Sequence, residues 1–178
     1  MKTAIDGLLA LPNEQVPELT YYQNSTGDWI EESAEETRFV QDQEVVQAGG
    51  RSWRIQLPFV SDHTPLLQLD MTLETVNLNF AVSRDEERVE ITISHRGVER
   101  ALDPREHGYV LLTLARARLE DETLPPPERG WRERTQLERM LAMDSNALNV
   151  AIHRARQQFL AAGVSGAAGI VEVRRKKR

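Results

Sequence analysis

The residues best equipped for chemistry in this chain are two arginines and a histidine, set among apolar neighbours in LNVAIHRARQQF, Leu148 to Phe159. An arginine fork grips phosphate or a guanine edge, and Asn and Gln amides pair with adenine. Projected at about 100° per residue, Leu148, Ile152, Ala155 and Phe159 fall within about 60° of arc and predict a buried stripe on a helix. Asn146, Asn149, His153 and Gln157 lie on the opposite face, with Arg154 and Arg156 flanking it. That face suits the major groove of DNA, and it suits water equally well. The chain's end strengthens the basic signal: from Ile152 to Arg178 seven basic residues stand against Glu172 alone, a balance of +6.

Other chemistries find little support. The histidines His63, His95, His107 and His153 occur singly, without metal-ligand spacing, and His107 is expected at an exposed helix start. Gly49-Gly50 lacks the lysine and spacing of a phosphate loop, and no serine sits in a GxSxG elbow. Glu31-Glu32 and Glu35-Glu36 could serve as acid/base pairs, but their turn-rich polar setting predicts a solvated acidic loop. No catalytic residue, metal ligand or cofactor site is assigned, and an enzyme is not expected. The absence of cysteine excludes disulfides, thiolate catalysis and cysteine-ligated zinc within these residues.

The formal net charge is −6, and it is unevenly spread. Residues 1–64 carry four basic against eleven acidic groups, whereas residues 65–178 carry 18 against 17. An acidic front therefore precedes a basic end. The longest dense apolar run, YVLLTLA from Tyr109 to Ala115, is far below the roughly 20 residues that span a bilayer. The N-terminus fits a secretory signal poorly, so a cytoplasmic protein without membrane contact is expected.

The elements that would hold these residues fall into two groups. Residues 1–20 show no clear period and are left unassigned. From Tyr21 to about residue 60, TYYQ, DWI, TRFV, EVVQ and SWRIQL are short β-favouring pieces between turn formers. Ser61 to Pro65 reads as a linker, and residues 66–178 form the second unit. In it, Val76, Leu78, Phe80 and Val82 face Val89, Ile91 and Ile93 in a hairpin with one buried side, and VERAL can add a strand. DPRE predicts a helix start, with Asp103 as cap and Pro104 at the first position. The helix runs to about Glu120, LPPPERG breaks it, and RTQLERMLA forms a second helix. A short turn with a capping candidate leads into the third helix, which Gly163 stops. The fold class is α+β: a small all-β N-terminal unit, then a sheet and three helices in winged helix-turn-helix order.

The segment from about Val76 to Arg178 resembles the OmpR/PhoB type of winged-helix DNA-binding domain. Its "LTPxE" helix start matches Leu102-Asp103-Pro104-Arg105-Glu106. Its recognition helix, of the form "VDVHIRRLRKKL", matches at Leu148, Val150, Ile152, Arg154, Arg156 and Phe159. The resemblance implies that this helix enters a major groove, with Asn149, His153, Arg154 and Arg156 as DNA contacts. Gln157 and Gln158 replace common basic residues, which implies weaker binding. The wing motif "VRGVGYRL" is matched by Val173 and Arg174 and then loses its glycines. Either the wing is unformed or Arg174 to Arg178 is a basic tail, with Arg174, Arg175 and Lys176 as further DNA contacts. No phosphoacceptor receiver domain precedes the helices, so that route of regulation is not expected.

NSTGDWIEE followed by VVQAGGRSWRIQLP resembles the last third of a forkhead-associated (FHA) domain, through Ser25, Thr26, Gly27, Trp29 and Ile30 and through Gly49-Gly50, Trp53, Ile55 and Leu57. The Gly-Arg, SRxH and Asn elements that hold phosphothreonine in that family are missing, so a phosphothreonine peptide is not an expected partner. Trp29 and Trp53 are expected as core aromatics. The unit is expected to pack or to recruit a protein partner. The chain is thus expected to be a regulatory protein binding double-stranded DNA, with a protein-binding adaptor as the alternative.

Overall fold

The computed structural model describes residues 7–24, 27–57 and 71–174. It is an α+β structure, with nine strands and three α-helices among the described residues. The linker expected at Ser61 to Pro65 lies outside them, as do Ser25, Thr26, Arg175 and Lys176.

The first unit is a four-stranded antiparallel meander, β1 (Leu8–Pro12), β2 (Pro17–Gln23), β3 (Trp29–Glu32) and β4 (Thr37–Phe39), in that spatial order. A separate hairpin, β5 (Val45–Ala48) and β6 (Arg51–Arg54), packs on one of its faces. Gly49 and Gly50, with φ of 58° and 68°, make the tight turn of this hairpin, since both central residues of such a turn need positive φ. Side chains alternate across the meander. Leu11 and Tyr21 point toward the hairpin and join Val46, Ala48 and Ile55 in one core, with Trp29 and Trp53 packed at its margin. Leu8, Tyr22 and Ile30 point the other way and meet Ala168 and Leu160. Because both faces are covered, β1 shows no hydrophobic alternation, and this strand lies in the stretch left unassigned from sequence.

In the second unit β7 (Asn77–Val82) pairs with β8 (Val89–His95), and β8 pairs with β9 (Val98–Ala101), all antiparallel. The alternation read from sequence holds: Val89, Ile91 and Ile93 are buried, opposite half-buried Leu78, Phe80 and Val82. Against this sheet pack α1 (Gly108–Glu120), α2 (Arg134–Leu141) and α3 (Ser145–Ala161). The first helix begins four residues later than DPRE suggests. Leu102 still donates to the Ile91 carbonyl at 2.8 Å, continuing the sheet edge, and Pro104 disfavours a helical Asp103. The cap position falls to His107, which is buried against Gln158 (2.8 Å) rather than exposed.

After α3 the chain makes one bridge, Ser165 to Thr72, then a 3-10 turn at Ala167–Ile170. No hairpin follows α3 among the described residues. The turn instead packs between α3 and β2, filling the angle between the two units.

Candidate functional site

The third helix is held firmly at its start. Ala142 takes a left-handed conformation (φ 51°) that ends α2, and the Asp144 carboxylate accepts from Ala147 N at 2.7 Å, capping α3. This is the capping turn read from sequence.

The helix carries two buried stripes. The first is the expected one: Leu148, Ile152, Ala155 and Phe159, each at most 3% exposed, face α1 and β8. The second is Asn149, His153, Arg156 and Leu160, which also span about 60° of arc, centred about 100° from the first. This stripe lies against the β1–β4 meander and the residues following α3. Asn146, Ala147, Arg154 and Ala161 remain exposed.

Three of the four helix residues expected to contact DNA are therefore inside the protein. Asn149 is 8% exposed, and its amide oxygen accepts from the Arg134 guanidinium, so it is committed within the fold. His153 is 1% exposed, and neither ring nitrogen has a hydrogen-bond partner. Burial, and then the charge of Arg156, pushes its pKa down to about 4, leaving it neutral near pH 7. Arg156 is fully buried. Its guanidinium donates to Glu32 Oε2 at 2.9 Å and to the Val171 carbonyl at 2.8 Å, and stacks on the Tyr22 ring at 4.2 Å from the centroid. Burial opposes its charge, but the Glu32 carboxylate and the Tyr22 hydroxyl together outweigh that and hold its pKa above the ordinary arginine value. Only Arg154 stands open to solvent. Of the tail residues, Arg174 is exposed but already engaged: its guanidinium lies 3.5 Å over the Trp131 ring and donates to the Pro127 carbonyl at 2.6 Å.

The partners of Arg156 were not singled out from sequence as an interface. Glu31 and Glu32, expected in a solvated loop, sit on β3 and are buried, 6% and 4% exposed. Tyr21 and Tyr22 lie beside them on β2. Tyr22 donates to Glu32 at 3.0 Å on the α3 side. On the hairpin side Tyr21 donates to Glu31 at 2.5 Å, and Arg38 from β4 bridges Glu31 and Glu44, each at 2.6 Å. Burial, followed by these carboxylates, raises both tyrosine pKa values well above their ordinary range. The available signal was the tandem YY and EE. In a strand, adjacent residues face opposite ways, so a paired YY and EE must place one Tyr–Glu couple on each face.

Both signs of charge meet at the start of α3, where the Arg134 guanidinium donates to Ser145 as well as to Asn149. Ser145 donates to the Ala34 carbonyl at 3.5 Å, which brings the β3–β4 turn, with exposed Glu35 and Glu36, to this helix end. Gln158, expected to mark a lost phosphate contact, instead donates to the Asp103 carbonyl (2.7 Å) and bonds His107. Among the described residues no group of three or more metal-ligating side chains converges, and no helix is long and apolar enough to cross a membrane. Comparison with protein-family models, with curated proteins and with solved structures finds no match.

Proposed function

We propose that the chain is a regulatory adaptor in which a winged-helix-like unit holds an FHA-like β unit through its third helix, leaving the outer surfaces for protein partners. The observation that carries this reading is Arg156, a position where the OmpR/PhoB resemblance places a DNA contact: it is fully buried and paired with Glu32. An arginine so placed cannot release phosphate counterions, the main source of affinity for DNA. The exposed Glu35 and Glu36 near the start of α3 add repulsion toward a phosphate backbone. On this reading the protein is cytoplasmic, needs no cofactor, catalyses no reaction and does not bind phosphothreonine peptides.

A second reading, double-stranded DNA binding, draws on the Asp144-capped α3 set on a tight turn from α2, with Arg154 open to solvent. Anisotropy of a labelled duplex at low and moderate salt separates the two. The adaptor reading expects no salt-sensitive binding by the full chain and no change in Arg154→Ala. Binding at low salt that weakens in Arg154→Ala would overturn it in favour of DNA.

A further inference from the structure

The β4 edge of the meander offers a surface of a different kind from the buried α3 contact. Among the described residues β4 is the last strand of its sheet and pairs only with β3. Hydrogen-bonded and non-bonded pairs alternate along an antiparallel ladder. Val40 N donates to the Trp29 carbonyl and Ser33 N to the Glu36 carbonyl, so Arg38 faces inward to β3 and the N–H and C=O groups of Thr37 and Phe39 face away from it, Phe39 at an exposed position and Thr37 at a buried one lining the neighbouring cavity. Such an edge is a template for a further strand.

The edge adjoins a cavity of about 240 Å³, walled by Tyr22, Ile30, Phe39 and Val173. Phe39 is 66% exposed beside it, a large apolar side chain left in water on an edge strand. Of the cations nearby, Arg38 is paired with Glu31 and Glu44, while Arg174, also in the cavity wall, is held by the neutral Trp131 ring and Pro127 carbonyl and keeps its charge. Glu35 and Glu36 stand exposed at the start of β4 and Glu172 is exposed in the opposite wall, with no ion pair to any of the three among the described residues. Among the described residues these three unpaired carboxylates outnumber the one uncompensated cation, so the charge left for a ligand to meet is negative.

From this geometry we infer that the β4 edge binds an extended, basic peptide segment of a protein partner, which adds as a fifth strand. The partner's backbone pairs with the exposed Phe39, one apolar side chain enters the cavity beside it toward buried Thr37, and a Lys or Arg meets Glu35 and Glu36. The inference rests on the adaptor reading and gives it a ligand class.

The probes are labelled eight-residue peptides of alternating Lys and Val, of alternating Glu and Val, and a Lys/Val peptide N-methylated at alternate amides to remove strand pairing. Anisotropy with the full chain should show the Lys/Val peptide binding at least about tenfold tighter than either of the others. Phe39→Ala should weaken it about tenfold. Phe39→Pro removes an outward N–H without touching the ladder and should abolish it, while thermal unfolding confirms that each variant is folded. Glu35→Gln with Glu36→Gln should remove most of its salt dependence. Equal binding of the three peptides, or unchanged affinity in Phe39→Pro, overturns the inference. So does a concentration-dependent dimer lost in Phe39→Pro, which would assign the edge to a second copy of the chain. If no peptide binds and the duplex is also silent, only this inference fails. If the duplex binds through Arg154, the adaptor reading itself fails.

Discussion

The two faces of the meander carry the same three residue types in two different settings. On one face Tyr21, Glu31 and Arg38 lie on three neighbouring strands, and the arginine side chain keeps 31% of its surface in water. On the other face Tyr22 and Glu32 receive Arg156 from a helix 124 positions further along the chain, and the pair is 0% and 3% exposed. The first trio closes a sheet rim. The second joins two units and has no water to fall back on. Equal chemistry therefore carries unequal consequences, because the energy of an ion pair depends mainly on what solvent can do when one partner is removed.

The largest effect should follow Arg156→Ala, which strands Glu32 in the interior. Denaturant unfolding should show a loss of about 3–5 kcal/mol. Replacing both charges, Arg156→Met with Glu32→Leu, should recover most of that loss, because the penalty belongs to the unpaired charge. Failure to recover would mean that the pair is net stabilising rather than merely costly to break.

Acid should act on the buried face next. His153 packs near Arg156 and Arg154, whose charges disfavour its protonation, while Glu14 and Glu32 act in the opposite sense. Its folded pKa, about 4, lies below the ordinary 6.5, so the unfolded chain binds the proton first. Its contribution to stability is complete above about 6.5 and is lost as pH falls through about 4. His153→Leu should flatten that limb of the stability–pH curve.

The smallest effect is expected from Arg38→Ala. Glu31 keeps its bond to Tyr21, and water can reach the vacated rim, so the loss should stay near 0.5–1 kcal/mol. A loss as large as that of Arg156→Ala would erase the distinction between the faces.

How far these features were legible follows from the same contrast. Leu78, Phe80 and Val82 against Val89, Ile91 and Ile93 were readable because one face of that sheet is apolar and the other wet. The Leu148, Ile152, Ala155, Phe159 stripe and the Asp144 cap were readable for similar reasons, since apolar spacing and cap chemistry are local. The second stripe of α3 was not. Asn149, His153 and Arg156 have the same types and spacing whether they meet DNA, water or a glutamate brought from residue 32. Nothing local in sequence separates those cases. LLALP and the first residues of β2, Pro17 to Leu19, hid for a related reason, since strands covered on both faces lose their period of two, whereas the TYYQ end of β2 was legible from its β-favouring residues. The late start of α1 depended on Leu102 extending the sheet, a contact made with Ile91 rather than with its neighbours.

The central claim is that the His153 side of α3 is sealed by the β unit while the adjacent Arg154 side is open. The chain contains no cysteine, so single cysteines can report on each side without background. Under native conditions Arg154→Cys should react with a thiol reagent nearly as fast as in denaturant. His153→Cys should react at least about a hundredfold more slowly, in line with an opening cost of a few kcal/mol. Equal, fast labelling at both positions would show the face to be open and would contradict the account.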